Sequence, residues 1–198
     1  MIEPSNTIPQ DTNAPKKNSF GREVWETIRF IAIAMIVVIP IRYFIVQPFI
    51  VSGASMDPTF VDKQYLIVDE ISYRLSEPTR GDVIIFKYPV DPTKYFIKRI
   101  IGLPGETITI DETGHVTVKS GDGKDSIILK EPYVEFTKRD SVERTLGKDE
   151  YFVMGDNRAE SFDSRMWGPV PRNLITGKAF LRLFPLNVVG VLPGQFRQ

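Results

Sequence analysis

Three short stretches of the chain hold residue types that could do hydrolytic chemistry. In the first, VSGASMDPTF at 51–60, Ser55 follows three small residues and precedes Pro58. Ser52, Gly53 and Ala54 fit a site where another protease trims the chain after small residues. They fit equally a sharp turn that leaves the Ser55 hydroxyl exposed as a nucleophile. Taken alone, such a serine is an ordinary turn residue; the second stretch, YFIKRII at 95–101, gives it weight. Side chains alternate along a strand, so Lys98 shares a face with Phe96 and Ile100, and Arg99 shares the other with Ile97 and Ile101. One cation is therefore expected to face the core, and lysine is the one able to give up its proton, since arginine stays charged. Burial draws a lysine from about 10.4 towards neutrality, and a neutral amine beside a hydroxyl is a general base that needs no histidine. The bland alternative is a pair of snorkelling cations on an edge strand.

The third stretch, GDNRAESFDSRMWGPVP at 155–171, is dense in Gly, Asn, Asp, Ser and Arg. It reads either as turn chemistry, with Asp156 and Asn157 bonding their own backbone, or as a brace. In the brace, Asp163 pairs with Arg165 and Ser161 offers its hydroxyl to an active-site amine.

Composition narrows these options. The 198 residues are 42% hydrophobic and 25% charged with a net charge of zero, which suits one modest domain with an appendage and gives no basic surface for nucleic acid. Without cysteine there is no disulfide, thiolate metal site or Cys nucleophile. The single histidine, His115, excludes a multi-His metal site and speaks against a Ser-His-Asp triad.

Hydrophobic patterning outlines the scaffold around them. Residues 1–19 lack hydrophobic periodicity and are predicted to be a disordered tail. FIAIAMIVVIPI, from Phe30 to Ile41, carries no charge and extends to Val46 if Arg42 snorkels. Since about 20 apolar residues cross a bilayer, an anchor helix is predicted over 20–46, spanning from about Glu23 to Val46 and irregular near Pro40. Lys16, Lys17, Arg22 and Arg29 precede it and Arg42 stands alone on the far side, so the tail is expected in the cytoplasm and the rest outside. From 47 to 198, short β-like runs separated by Gly, Pro and Asp predict a coiled, mainly antiparallel β-domain. These runs are YLIVDE, DVIIFKY, YFIKRII, ETITI, HVTVK, SIILK, EYFVM and KAFLRLF. The DETG turn makes ETITI and HVTVK a hairpin with His115 solvated. Residues 111–149 are polar and turn-rich and read as a surface elaboration without chemistry.

SGASMDPTF, YFIKRIIGLPGE and GDNRAESFDSRMWGPV, in this order behind an apolar anchor, resemble the bacterial type I signal peptidases from about Ser52 to Val170. The resemblance implies a mainly β catalytic domain behind one transmembrane helix in the cytoplasmic membrane. It implies a serine endopeptidase that removes signal peptides from secretory preproteins after small residues, with no metal or nucleotide; signal peptides and the lipid bilayer would be its partners. Ser55 would be the nucleophile and Lys98 the general base, with Ser161 holding the lysine amine and Asp163 and Arg165 forming a supporting ion pair. An extended substrate would add as a strand between walls formed by Phe49, Val51, Gly53, Phe60, Phe96 and Ile97. Ordinary core packing is the alternative for the apolar ones. One departure stands out: many Gram-negative members carry a serine in the oxyanion hole where this chain has Gly53, so the hole would rest on the Ser55 backbone N–H. Phe44, Ile45, Pro48 and Trp167 are expected to meet the outer leaflet. The rivals are a self-cleaving repressor-type Ser/Lys peptidase, which the anchor and the lack of a DNA-binding helical domain disfavour, and a catalytically inactive membrane-tethered β-module that only binds peptides.

Overall fold

The computed structural model describes residues 19–44 and 46–196, with side chains for 20–38 and 47–196. Two units are distinguished, one ending at Pro40 and one starting at Ile41. The tail predicted for 1–19 lies outside the described residues apart from Ser19, which opens helix α1 (Ser19–Phe44). α1 runs on through Pro40 and stops at Phe44, two residues short of the predicted end. Pro48 disfavours helical backbone at Gln47, and sheet pairing takes Val46–Ile50 instead. Apolar side chains of α1 point outward all round, with Phe30 73% and Ile36 72% exposed. Among the residues whose side chains are described, no helix is long and apolar enough to cross a membrane. Arg22, Glu23, Glu26 and Arg29 occupy the early turns, and the apolar run begins only after them.

The second unit follows the predicted runs closely. In chain order it contains β1 (Val46–Ile50), β2 (Tyr65–Asp69), α2 (Ser72–Leu75), β3 (Val83–Lys87), β4 (Tyr95–Gly102), β5 (Thr107–Ile110) and β6 (Val116–Lys119). After these come β7 (Ser126–Ile128), β8 (Val142–Thr145), β9 (Glu150–Met154), α3 (Ser164–Trp167), β10 (Val170–Pro171), β11 (Ile175–Phe184) and β12 (Gly190–Val191). The larger sheet has the order β1-β2-β11-β3-β4-β9-β10 with β12 on β11, and the smaller β7-β6-β5-β8. Every pairing is antiparallel.

β3 shows why its run is apolar throughout. Val83 and Ile85 enter a cluster with Val51, Met56, Phe60 and Leu66, while Ile84 and Phe86 enter another with Ile100, Tyr151 and Val153. A strand covered on both faces has no polar side to alternate with.

Residues 111–149 are more than a surface elaboration. Val116, Val118, Leu129 and Leu146 pack with Ile101, Ile108, Phe152 and Met154 into a core of their own. Gly102 at the end of β4 makes room for this: a side chain there would run into Ile108 and Leu146. The hairpin of β5 and β6 is present, with His115 at its solvated end.

Candidate active site

The turn after β1 is built to hold Ser55 still. Mutual backbone bonds close its base, the Val51 N–H donating to the Gln64 carbonyl and the Lys63 N–H to the Val51 carbonyl, both at 2.9 Å. Met56 and Phe60, fully buried, root it in the core. Gly53 has φ of +90°, and its N–H donates to Asp62 Oδ1 at 2.9 Å. Residues with a Cβ avoid that backbone region, which is a physical reason for glycine at this position.

The loop after β9 clasps the turn from the other side. The Asn157 N–H donates to the Ser55 carbonyl at 3.1 Å, and the Thr59 hydroxyl donates to Asp156 Oδ2 at 2.5 Å. Gly155 allows the approach, because any Cβ there would collide with the Ser55 carbonyl and Ser161 Oγ.

β4 delivers Lys98 into the same space, only 4% exposed. Its Nζ donates to Ser55 Oγ at 2.6 Å and to the Ile97 carbonyl at 3.0 Å. Burial pushes the ammonium down to about 8; Asp163 and Asp156 pull it back up, and Arg165 adds to the lowering. A hydroxyl and a carbonyl stabilise a charge less than a carboxylate does, so desolvation prevails.

The expected Asp163–Arg165 pair is present and bidentate, with Nε to Oδ1 at 2.8 Å and Nη2 to Oδ2 at 2.9 Å. Arg165 Nη1 reaches Asp140 at 2.6 Å. Burial raises the Asp163 carboxyl, but the hydrogen bonds and charge of Arg165, with help from Ser161 and the Gly155 N–H, hold it below its usual value. The expectation that Ser161 holds the lysine amine needs correction. Ser161 Oγ accepts the Gly155 N–H at 3.1 Å and sits by Asp163, while the Lys98 hydrogen bonds among the described residues go to Ser55 and Ile97. A carboxylate is the stronger partner for that hydroxyl.

A second correction concerns Arg99. Alternation predicts one buried cation, yet Arg99 is 0% exposed, because β4 is covered on both faces. Its Nε and Nη2 donate to Asp156 at 2.8 and 2.6 Å, its Nη1 to the carbonyls of Gly81 at 2.9 Å and Gly194 at 2.5 Å. The Tyr133 ring lies 3.9 Å from the guanidinium carbon. Asp156 is therefore no local turn-former, whereas Asn157 is one, its Oδ1 accepting the Glu160 N–H at 3.1 Å. Glu131, Tyr133 and Asp140, from the segment read as lacking chemistry, reach Arg158, Arg99 and Arg165.

Ser55 and Lys98 open into a cleft of about 290 Å³, with Phe49, Val51, Gly53, Phe96 and Ile97 in its walls. Phe60 is not among them: it is fully buried beneath the turn, a core residue. The walls also take in Ile50, Tyr95, Glu160 and Phe162, which were not among the expected wall residues although the last three stand in the stretches that carry the motifs. Trp167, half-buried, lies against the rings of Phe86 and Tyr88 at 5.9 and 5.6 Å; the Phe44 side chain and Ile45 lie outside the described residues. Among the described residues no group of three or more His, Cys, Asp or Glu could hold a metal ion.

Residues 24–184 match the family described as "Signal peptidase, peptidase S26". The chain is 37% identical over 184 residues to "Probable signal peptidase I-2" of Synechocystis sp., covering 89% of this chain and 81% of that protein. It is 32% identical over 197 residues to "Signal peptidase I" of Leptolyngbya laminosa, covering 96% and 94%. A crystal structure of a signal peptidase I from Enterococcus faecalis is alike over 52% of this chain and 97% of that chain, at 30% identity and a TM-score of 0.43.

Proposed function

The chain belongs to the signal peptidase family, peptidase S26, and we propose that it is a membrane-anchored serine endopeptidase that removes signal peptides from secretory preproteins, with Ser55 as nucleophile and Lys98 as general base. The observation that carries the roles is the 2.6 Å contact between Lys98 Nζ and Ser55 Oγ, made by an amine that burial pushes down to about 8. As a neutral amine, Lys98 takes the hydroxyl proton while Ser55 Oγ attacks the scissile carbonyl. The resulting ammonium then protonates the departing amine of the mature protein, leaving the signal peptide as an ester on Ser55. Lys98, neutral again, activates the water that hydrolyses this ester.

Charge developing on the carbonyl oxygen needs a donor already aimed at it. The Ser55 N–H makes no hydrogen bond among the described residues and is free for that role; Gly53 has no hydroxyl to add. The cleft volume is at the small end of ligand sites, roughly 300–1,000 Å³, and suits short side chains next to the cut. Extended substrate would lie beside Phe49–Val51 and Tyr95–Ile97, the segments that run into the two reacting residues.

α1 is read as the anchor. Its 26 residues extend about 39 Å at 1.5 Å each, more than the roughly 30 Å hydrocarbon core, and its outward apolar side chains need lipid or protein to cover them. Arg22 and Arg29 near its start keep the N-terminal side cytoplasmic and the catalytic unit outside.

The test uses the full chain in detergent and a model preprotein with an Ala-x-Ala cleavage site. Wild type should release the mature protein, and Ser55→Ala should not; turnover by folded Ser55→Ala protein would exclude this nucleophile.

A further inference from the structure

We infer that Glu160 makes the cleft select peptides by charge, favouring Lys or Arg near the bond to be cut and disfavouring Asp or Glu there. The inference rests on the reading of this cleft as a peptide-binding site. The side chains lining it include one carboxylate, Glu160, and one amine, Lys98. The Glu160 carboxylate makes no hydrogen bond or ion pair among the described residues, although two arginines stand nearby in sequence. Both are already committed: Arg158 to Glu131 at 2.6 Å and the Gly155 carbonyl at 2.9 Å, Arg165 to Asp163 and Asp140.

The position of Glu160 is fixed through its backbone. Its N–H donates to Asn157 Oδ1 at 3.1 Å, and the Asn157 N–H in turn donates to the Ser55 carbonyl at 3.1 Å. The carboxylate is thus mounted on the same short loop that holds the nucleophile. Above about pH 8, where Lys98 has lost its proton, the cleft therefore presents the exposed Glu160 carboxylate beside apolar walls.

The experiment measures peptide binding in detergent at about pH 9, where Lys98 is mostly neutral, by full-length Ser55→Ala protein, so that nothing is turned over. Matched labelled peptides carry Lys, Gln or Glu in turn at each position within about four residues of the cleavage point, a stretch chosen to cover the range of a single charge. At the most sensitive position, Lys should bind about tenfold tighter than Glu at low salt, and half-molar salt should shrink the ratio. Adding Glu160→Gln should largely abolish the ratio, and Glu160→Lys should reverse it. A Lys-to-Glu ratio that is the same at every position with Glu160 and with Lys at 160 overturns the inference, and so does failure of every peptide to bind. The parent reading fails separately: a Glu160-dependent preference in an intact enzyme that cleaves none of the peptides would remove the peptidase and leave the selective cleft.

Discussion

Consecutive residues on β4 bury consecutive cations in opposite company. On the cleft side, Lys98 has a hydroxyl and a backbone carbonyl. On the far side, Arg99 has both oxygens of Asp156, two carbonyls and an aromatic ring. Burying a charge costs several kcal/mol unless hydrogen bonds and an opposite charge offset it. Around Arg99 the offset is close to complete and the cation holds loops together. Around Lys98 it is deliberately thin, and the uncompensated cost takes the form of a proton easily lost. What makes the lysine reactive is the missing carboxylate, as much as the amine itself.

The comparison breaks most sharply at Lys98→Arg. If the proton-accepting amine is what the cleft side supplies, the guanidinium cannot replace it, and kcat/KM should fall by about 10⁴-fold or more, nearly as far as in Ser55→Ala. Robust processing by Lys98→Arg, with folding checked by circular dichroism, would defeat the Ser/Lys mechanism. The far side should answer in stability instead. Arg99→Met leaves Asp156 buried without its partner, and urea unfolding should show a loss of about 3–5 kcal/mol; a loss below about 1 kcal/mol would mean that solvent reaches Asp156 after all.

Lys98→Met should move stability the other way. The folded-state value near 8 lies below the ordinary 10.5, so below pH 8 both states are protonated and the native state bears the full cost of a buried ammonium. Between about pH 8 and 10.5 the unfolded chain keeps a proton that the native state has released, and wild-type stability gains on the mutant as pH rises. At pH 7, Lys98→Met should therefore be more stable by about 3 kcal/mol, with the advantage gone near pH 10.5; equal stabilities at pH 7 would mean the amine is not desolvated. The kcat/KM of wild type should rise through an apparent pKa near 8, since the neutral amine is the working form. The smallest effect is expected at Gly53→Ala, where φ of +90° should cost about 1–2 kcal/mol in thermal unfolding, with no clash to add, since the space beside Gly53 is open.

Much of this was legible in the sequence. Each apolar run became a strand, and the blocks carrying Ser55, Lys98, Asp163 and Arg165 converge on one place. Period-two reasoning assigns faces correctly but does not tell how many faces are covered, so Arg99 looked like the solvated twin of Lys98. Its acceptors lie 57 and 95 residues further on, beyond any local pattern. β8 escaped notice because VERT offers a single apolar residue, Val142; pairing with β5 makes it a strand. Ser161, tied to the lysine by resemblance, has its hydroxyl engaged by the Gly155 N–H and Asp163, partners that no local pattern announces. Phe60 shows the reverse limit: a phenylalanine beside a nucleophile can belong to the floor under the turn as easily as to the cleft.

The hydrogen bond from Arg99 to the Gly194 carbonyl sets an order of events for biosynthesis. A strand that emerges from the ribosome near the middle of the chain must wait for an acceptor made 95 residues later, and contacts of such long sequence separation form slowly. Until then the guanidinium lacks one of its partners, Asp156 is less firmly held, and the loop gripping the Ser55 turn is not yet fixed. The grip on the Ser55 turn is thus completed only once the stretch through Gly194 is in place.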